Sequence, residues 1–216
     1  MDNTFSIVGR CPHTGALGVA IATARIAVGS RAPHARAHVA AISTQAWIDV
    51  MLAYKSLQII EKGQSAQVAL EQVLAEDEGK ELRQLIIIDA HGNKAAFTGK
   101  GTEPFAGHIV GENCVVAGNF LKDKSTLNAM AAAFDGEKGC LGDRLMLALE
   151  SGQAAGGDKR GKMSAAIIVV KDSIHPYINL RVDYGADPVK ELREIYNRYL
   201  EFLQGAGASQ KSQRLW

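Results

Sequence analysis

Runs of alternating apolar and polar residues, separated by short turns, predict three β-hairpins along the chain. The turn of the first is His13-Thr14-Gly15, and the turn of the second is Ala90-His91-Gly92-Asn93. Strands joined by so short a turn run antiparallel. The paired strands are predicted at residues 4–8 and 17–24, 82–89 and 94–98, and 165–170 and 177–182.

Apolar positions at helical spacing lie between these hairpins. The segment 51–62, for example, carries Leu52, Leu57 and Ile60 and is closed by Gly63, while Pro188 suits the first turn of a last helix. Helices are predicted at 51–62, 65–75, 124–134, 143–152 and 188–203. Two further strands are predicted at 39–44 and 114–117, a loop at 29–33, and irregular chain at 107–111.

Helices inserted in pairs between antiparallel strands favour an α/β fold of the α+β type. The predicted architecture is a four-layer αββα sandwich, with two mainly antiparallel sheets stacked between helical layers. The hairpins exclude a doubly wound parallel sheet. One domain is expected over 1–204 and a C-terminal tail over 205–216, because no repeat or domain linker interrupts the chain. A glycine-rich tail is expected to be flexible unless another surface holds it. We expect a subunit contact to hold this tail, and we therefore predict a homo-oligomer.

Composition excludes several classes of protein. The 24 basic and 23 acidic side chains nearly balance, whereas a dedicated nucleic-acid binder usually carries a basic surplus. The first residues do not resemble a signal peptide, and no apolar run reaches the roughly 18 residues of a membrane span. We therefore expect a cytoplasmic protein without nucleic-acid or membrane partners. Cys11, Cys114 and Cys140 show neither disulfide nor metal-ligand spacing, and no cofactor is indicated.

Three segments could carry chemistry. In the glycine-rich loop 156–161, Asp158 could hold a cation and Arg160 an anion, although the two could equally pair with each other in an exposed turn. Thr4 heads the first strand, where a threonine becomes a nucleophile if it is the chain's amino terminus. It could also be an ordinary strand residue. The run 43–45 (Ser-Thr-Gln) could line a polar pocket, but capping of the next helix is favoured. Cys114 and Cys140 are interpreted as packing residues.

Six motifs that follow one another from residue 4 to about 203 resemble domain-of-unknown-function family 1028. They are Thr4-Phe5-Ser6-Ile7-Val8, Leu17-Gly18-Val19-Ala20, Ala27-Val28-Gly29-Ser30, Thr44-Gln45-Ala46, Ala117-Gly118-Asn119, and Gly156-Gly157-Asp158-Lys159-Arg160-Gly161 with Ser164-Ala165-Ala166. That family resembles the N-terminal-nucleophile (Ntn) hydrolases. The resemblance implies the same αββα sandwich and hydrolysis of an amide bond in a small molecule.

The resemblance also implies functional residues. Thr4 falls where the superfamily has its nucleophile, and Asn119 or a backbone N–H would stabilise the oxyanion. Arg36, Gln45, Asp158, Arg160 and Ser164 are the implied substrate-binding residues.

The start of the chain departs from the Ntn pattern. Met1-Asp2-Asn3 precede Thr4, and Asp2 is too large for routine removal of the initiator methionine, so a free Thr4 amine requires cleavage of the Asn3–Thr4 bond. Two hypotheses follow: an Ntn-type amide hydrolase, or a non-catalytic Ntn-like domain that binds a small anionic metabolite.

Overall fold

The computed structural model describes residues 4–209, and the side chains among them up to residue 205. Ten strands and five α-helices form within this range. The strands are β1 (Thr4–Arg10), β2 (Leu17–Thr23), β3 (Pro33–Arg36), β4 (Ala40–Ala46), β5 (Arg83–Asp89), β6 (Lys94–Thr98), β7 (Gly107–Val110), β8 (Cys114–Asn119), β9 (Ser164–Val170) and β10 (Ile178–Val182). The helices are α1 (Val50–Glu61), α2 (Ala66–Ala75), α3 (Ser125–Gly136), α4 (Leu141–Ala154) and α5 (Pro188–Ser209).

The strands form two antiparallel sheets. The larger has the order β10-β9-β2-β1-β8-β7, and the smaller has the order β3-β4-β5-β6. All three predicted hairpins are present, as the pairs β1–β2, β5–β6 and β9–β10. The connections within these hairpins are too short for a crossover, so their strands pair antiparallel, and the pairs between strands more distant in sequence are antiparallel as well.

Three hydrophobic cores show that the layers are stacked in the order helix, sheet, sheet, helix. Phe5 and Ile7 of β1 pack with Leu145 and Leu149 of α4 outside the larger sheet. Ile42 and Ile87 of the smaller sheet pack with residues of α1 and α2 on the opposite outer side. Between the sheets, Val8, Val19 and Val115 pack against Ala41, Ile86 and Ile88. The predicted α+β sandwich of two antiparallel sheets and outer helices is therefore confirmed.

Two short edge strands contradict the sequence prediction. The predicted loop at 29–33 contains a 3₁₀ turn at Val28–Ser30 and ends in β3, which begins at Pro33. The segment predicted as irregular at 107–111 contains β7. Each strand has four residues and pairs with one neighbour only. A segment this short carries too few positions for its sequence pattern to predict a strand.

The last helix extends farther than its sequence suggests. α5 reaches Ser209, although the glycines at 205 and 207 favoured an end near residue 203. The beginning of the predicted tail is therefore helical, and residues 210–216 lie outside the described range. The homo-oligomer inferred from this tail stays a prediction.

Candidate active site

Four polar residues form one row across the larger sheet, at the end where β1 begins. Thr4 pairs with Asn119 of β8 on one side and with Thr23 of β2 on the other, and Thr23 pairs with Ser164 of β9. None of the four has exposed surface. Residues directly opposite each other on antiparallel strands project from the same face, so these side chains share one face of the sheet. The Thr4 hydroxyl lies 3.4 Å from that of Thr23.

This face looks onto the smaller sheet. Ser6, two residues beyond Thr4 and therefore on the same face, donates a hydrogen bond of 2.6 Å to Oε1 of Gln45 in β4. The apolar layer between the sheets ends here and a polar layer begins. In the smaller sheet this layer contains a second row, in which Gln84 of β5 is paired with Gln45 on one side and with Thr98 on the other.

Gln84 is the centre of the hydrogen bonds that cross between the sheets. Its Nε2 donates to the backbone carbonyls of Gly107 and Gly118, at 2.9 and 3.0 Å, and to Thr98 Oγ1 at 2.9 Å. Its Oε1 accepts from Gln45 Nε2 at 2.5 Å and from Asn119 Nδ2 at 3.1 Å. Gln84 is fully buried, so these bonds replace the water that its amide would otherwise bind.

The two backbone carbonyls set the direction of the whole network. A carbonyl only accepts, so the Gln84 amide must turn its nitrogen toward Gly107 and Gly118 and its oxygen toward the other two amides. Gln45 and Asn119 must in turn offer their nitrogens to that oxygen. The Oε1 of Gln45 is then an acceptor, and it accepts from the hydroxyls of Ser6 and Ser43.

Asn119 is left with an acceptor that no donor satisfies. Its nitrogen faces Gln84, whereas its Oδ1 is buried and has no hydrogen-bond partner among residues 4–209. A buried acceptor without a donor costs roughly 1–3 kcal/mol, and such atoms are rare in native proteins. An orphan acceptor beside Thr4 is the feature of the row that most suggests a ligand.

The glycine-rich loop closes over the same end of the sheet. Asp158 accepts from the backbone N–H of Ala24, the residue after Thr23, and the backbone N–H of Lys159 donates to the carbonyl of Phe120, the residue after Asn119. Asp158 also pairs with the Arg160 guanidinium at 3.3 Å. This Asp–Arg pair was one of the two predicted alternatives, but Asp158 is buried rather than in an exposed turn.

Arg160 lies at the surface above this buried carboxylate. Its side chain is 29% exposed, and its guanidinium carbon lies 4.8 Å from the centroid of the Phe120 ring. The aromatic face and the Asp158 carboxylate therefore hold the guanidinium in a fixed plane.

Ser164 has a hydroxyl occupied by the protein itself. It donates to the carbonyl of Arg25 at 2.6 Å and accepts from the N–H of Val28 at 3.1 Å. These bonds fix the turn that follows β2. Its position in the row was expected for a substrate-binding residue, but its hydrogen bonds serve the loop.

Arg36 is not brought together with the other predicted residues. It pairs with Ala40, which in turn pairs with Asp89, at the opposite end of the smaller sheet from Gln45 and Gln84. Its guanidinium forms an exposed ion pair of 2.6 Å with Glu61.

The favoured interpretation of the run 43–45 as a helix cap is wrong. The N-cap of α1 is Asp49, whose carboxylate accepts from the N–H of Met51. Ser43 and Gln45 face the space between the sheets instead. Thr44 is on the opposite face, and its hydroxyl donates to the carbonyl of Asp49.

Ser6, Thr23 and Gln84 belong to the polar layer but were not recognised from the sequence. Thr23 and Gln84 stand at inward positions of strands whose other inward positions are apolar, and Ser6 follows Thr4 on the inward face of β1. That pattern alone does not separate a polar residue facing another sheet from one facing solvent. Within residues 4–209, no cluster of three or more His, Cys, Asp or Glu residues could hold a metal ion. No helix in this range is long and apolar enough to cross a membrane.

Comparison with known proteins identifies the family. The sequence profile of the family of unknown function DUF1028 matches residues 4–192. The chain belongs to the DUF1028 family. This DUF1028 protein is similar to the crystal structure of protein SPO2555 from Silicibacter pomeroyi, of the same family. The two share 32% identity with a TM-score of 0.85, over 91% of this chain and 85% of that one.

Two further structures match with lower scores. Anbu, an ancestral beta-subunit from Yersinia bercovieri, is 12% identical with a TM-score of 0.43, over 98% of this chain and 100% of that one. A Gly-1 mutant of Anbu from Hyphomicrobium sp. strain MC1 is also 12% identical, with a TM-score of 0.42 and the same coverage. No curated protein matches the chain.

Proposed function

We propose that this DUF1028 protein is an Ntn-type hydrolase that cleaves an amide bond in a small molecule, with Thr4 as its nucleophile. The observation that carries the proposal is the buried row Asn119–Thr4–Thr23–Ser164, in which the first residue of an inner strand faces a polar layer between two sheets. The rest of the space between the two sheets is filled by apolar side chains. A buried polar layer at one end of that space is suited to stabilise charge that develops during a reaction.

The reaction assigns a part to each group. After cleavage of the Asn3–Thr4 bond, the Thr4 α-amine takes the hydroxyl proton as Oγ1 attacks the substrate carbonyl. The tetrahedral oxyanion is held by N–H donors, and the proton passes to the leaving amine. Water then hydrolyses the Thr4 ester, releasing the acid and restoring the hydroxyl.

Asn119 is suited to hold the oxyanion because the orientation of its side-chain amide is fixed. One N–H of its Nδ2 binds Gln84, which leaves the second N–H for the oxyanion. Its Oδ1, which no donor in the described part of the chain reaches, can accept a hydrogen bond from the N–H of the scissile amide. An ester of the same shape lacks that N–H, so amides should be preferred over esters.

Binding of the remainder of the substrate is assigned to the loop and to the smaller sheet. Arg160 offers a planar guanidinium to an anionic group, and Asp158 keeps it in place. Gln45 acts one layer deeper, by supporting Gln84 and Ser6.

A panel of acyl and aminoacyl p-nitroanilides, followed by the release of p-nitroaniline, tests the proposal. We expect Thr4→Ala to lower turnover of any accepted anilide by about three orders of magnitude or more, because the nucleophile is lost. Thr4→Ser keeps a hydroxyl and should keep measurable turnover. Thr14→Ala, a threonine variant in the turn beyond the opposite end of β1, should hydrolyse the anilide as the unchanged protein does.

Unchanged turnover in Thr4→Ala would eliminate the mechanism. The alternative, a non-catalytic domain that binds an anionic metabolite, is favoured by the exposed face of Arg160 on Phe120. It predicts thermal stabilisation by carboxylates or phosphates, lost in Arg160→Ala, in a protein that turns over no anilide.

A further inference from the structure

A second feature lies at the opposite end of β1 from Thr4. A cavity of about 290 Å³ opens there between the β1–β2 turn and the start of α4. Because β1 spans Thr4–Arg10, this cavity is roughly 20 Å from the Thr4 row. Its wall is mostly apolar, with Leu141, Val169 and Ile178 among the lining residues, but two free cysteines, Cys11 and Cys140, also line it.

The packing of β1 on α4 explains why two cysteines so distant in sequence share one cavity. Gly9 presses against α4 so closely that a Cβ placed on it would lie 3.3 Å from Cδ1 of Leu141. Cys11 is two residues farther along the chain and continues on that face. Cys140 is the N-cap of α4, immediately before Leu141.

The two thiols have different surroundings. Burial raises the pKa of the Cys11 thiol, but hydrogen bonds from Thr14 and the backbone of His13, together with the Arg144 charge, outweigh burial and leave the pKa below its ordinary value. The Cys140 thiol instead donates to Oδ2 of Asp143 at 3.0 Å. Cys11 is therefore suited to be the attacking thiolate, and Cys140 to be the thiol that resolves the product.

We propose that Cys11 and Cys140 are a thiol pair that reacts with a small hydroperoxide and closes into a disulfide across this cavity. The Cys11 thiolate attacks the outer oxygen of the hydroperoxide, the O–O bond breaks, and the alkoxide leaves as an alcohol after taking a proton from solvent. Cys11 is then a sulfenic acid. The Cys140 sulfur attacks it, with Asp143 accepting the thiol proton, and water is released.

The cavity supports this sequence in two ways. Its apolar wall suits the alkyl group of an organic hydroperoxide, and its volume admits a molecule of that size. A disulfide requires a Cα separation of about 4.4–6.8 Å, and we assign the movement that closes it to the turn after Cys11, which is exposed from Pro12 to Gly15.

The experiment treats the full chain with tert-butyl hydroperoxide, digests it without reductant and identifies cross-linked peptides by mass spectrometry. We expect a Cys11–Cys140 peptide, reversed by dithiothreitol. Cys114 is the internal control, because burial raises its pKa to about 12 and it should remain a thiol. In Cys140→Ser, Cys11 should stop at the sulfenic acid and be trapped by dimedone, whereas Cys114→Ser should oxidise like the unchanged chain.

The dependence on pH tests the role of Thr14. The rate of Cys11 oxidation should rise with pH as the thiolate forms, and Thr14→Val, which removes a donor to that thiolate, should move this rise to higher pH. Absence of the Cys11–Cys140 peptide, oxidation of all three cysteines at one rate, or links only between molecules would each overturn the proposal.

Discussion

At the scale of single residues, Gln84 determines the polarity of the space between the sheets. Its two bonds to backbone carbonyls allow only one orientation of its amide, and that orientation is passed on to Gln45 and Asn119. The paired amides of this buried network are rigid, because rotating any of them would leave a buried polar group without its present partner. The rigidity places the Asn119 amide next to Thr4.

Replacing Gln84 with leucine should strongly destabilise the protein. The change leaves the carbonyls of Gly107 and Gly118 and the nitrogens of Gln45 and Asn119 short of a partner. We expect a loss of roughly 3 kcal/mol or more in the free energy of unfolding, measured by urea denaturation. The matched control is Gln58→Leu on the exposed face of α1, which should change it by less than about 0.5 kcal/mol. Equal effects of the two substitutions would refute a central role for Gln84.

The sequence was a partial guide at this scale. Thr4 could be selected because it heads a strand, and Asn119 and Gln45 because they recur in the family motifs. Gln84 could not be selected, since nothing in an apolar strand distinguishes a polar residue that crosses to another sheet from one that faces solvent. The sequence also did not show that Arg36 lies at the opposite end of the smaller sheet from Gln45, because strand pairing between distant segments decides that placement.

At the scale of elements, β1 is held from both faces. Its outward residues pack under α3 and α4, while its inward residues pass from Val8 in the apolar layer to Ser6 and Thr4 in the polar layer. The helix layer packs closely on the strand at Gly9, where a Cβ would lie 2.8 Å from the Phe134 ring. Only a glycine allows this approach without movement of the helix layer.

Gly9→Ala should therefore destabilise the protein. The added methyl group must displace the Phe134 ring, and overpacking of this kind costs roughly 1–3 kcal/mol in the free energy of unfolding. Gly136→Ala, at the end of α3 where a Cβ would meet no atom, is the control and should be neutral or stabilise by up to about 1 kcal/mol. Thermal and urea unfolding of the two variants measure the difference. A Gly9→Ala protein as stable as the Gly136→Ala protein would contradict the close packing of helix on strand.

Most elements could be predicted from their own residues. The hairpins were predictable because alternation and turn chemistry act within a few positions, and the helices because their apolar faces repeat locally. The edge strands β3 and β7 were not, since their four residues become strands only by pairing with β4 and β8. No local sequence signal predicts that α5 continues for six residues past its predicted end either.

At the scale of the whole molecule, the stacking of two sheets brings the candidate site together. Asn119, Thr4, Thr23 and Ser164 come from four strands that are adjacent only in the folded sheet, and Gln45 and Gln84 come from the opposite sheet. The order of the layers could be predicted from the order of helices and hairpins. The pairing register that aligns these residues could not be predicted, because it depends on the offset at which strands distant in sequence pair with one another.

We propose Thr4 as an amino-terminal nucleophile, and the intact mass of the protein purified from its own cells tests this role. We expect a chain that begins at Thr4, in a preparation that hydrolyses amides. A preparation that hydrolyses amides while residues ahead of Thr4 remain attached would contradict it, because Thr4 would then have no free α-amine to take its proton.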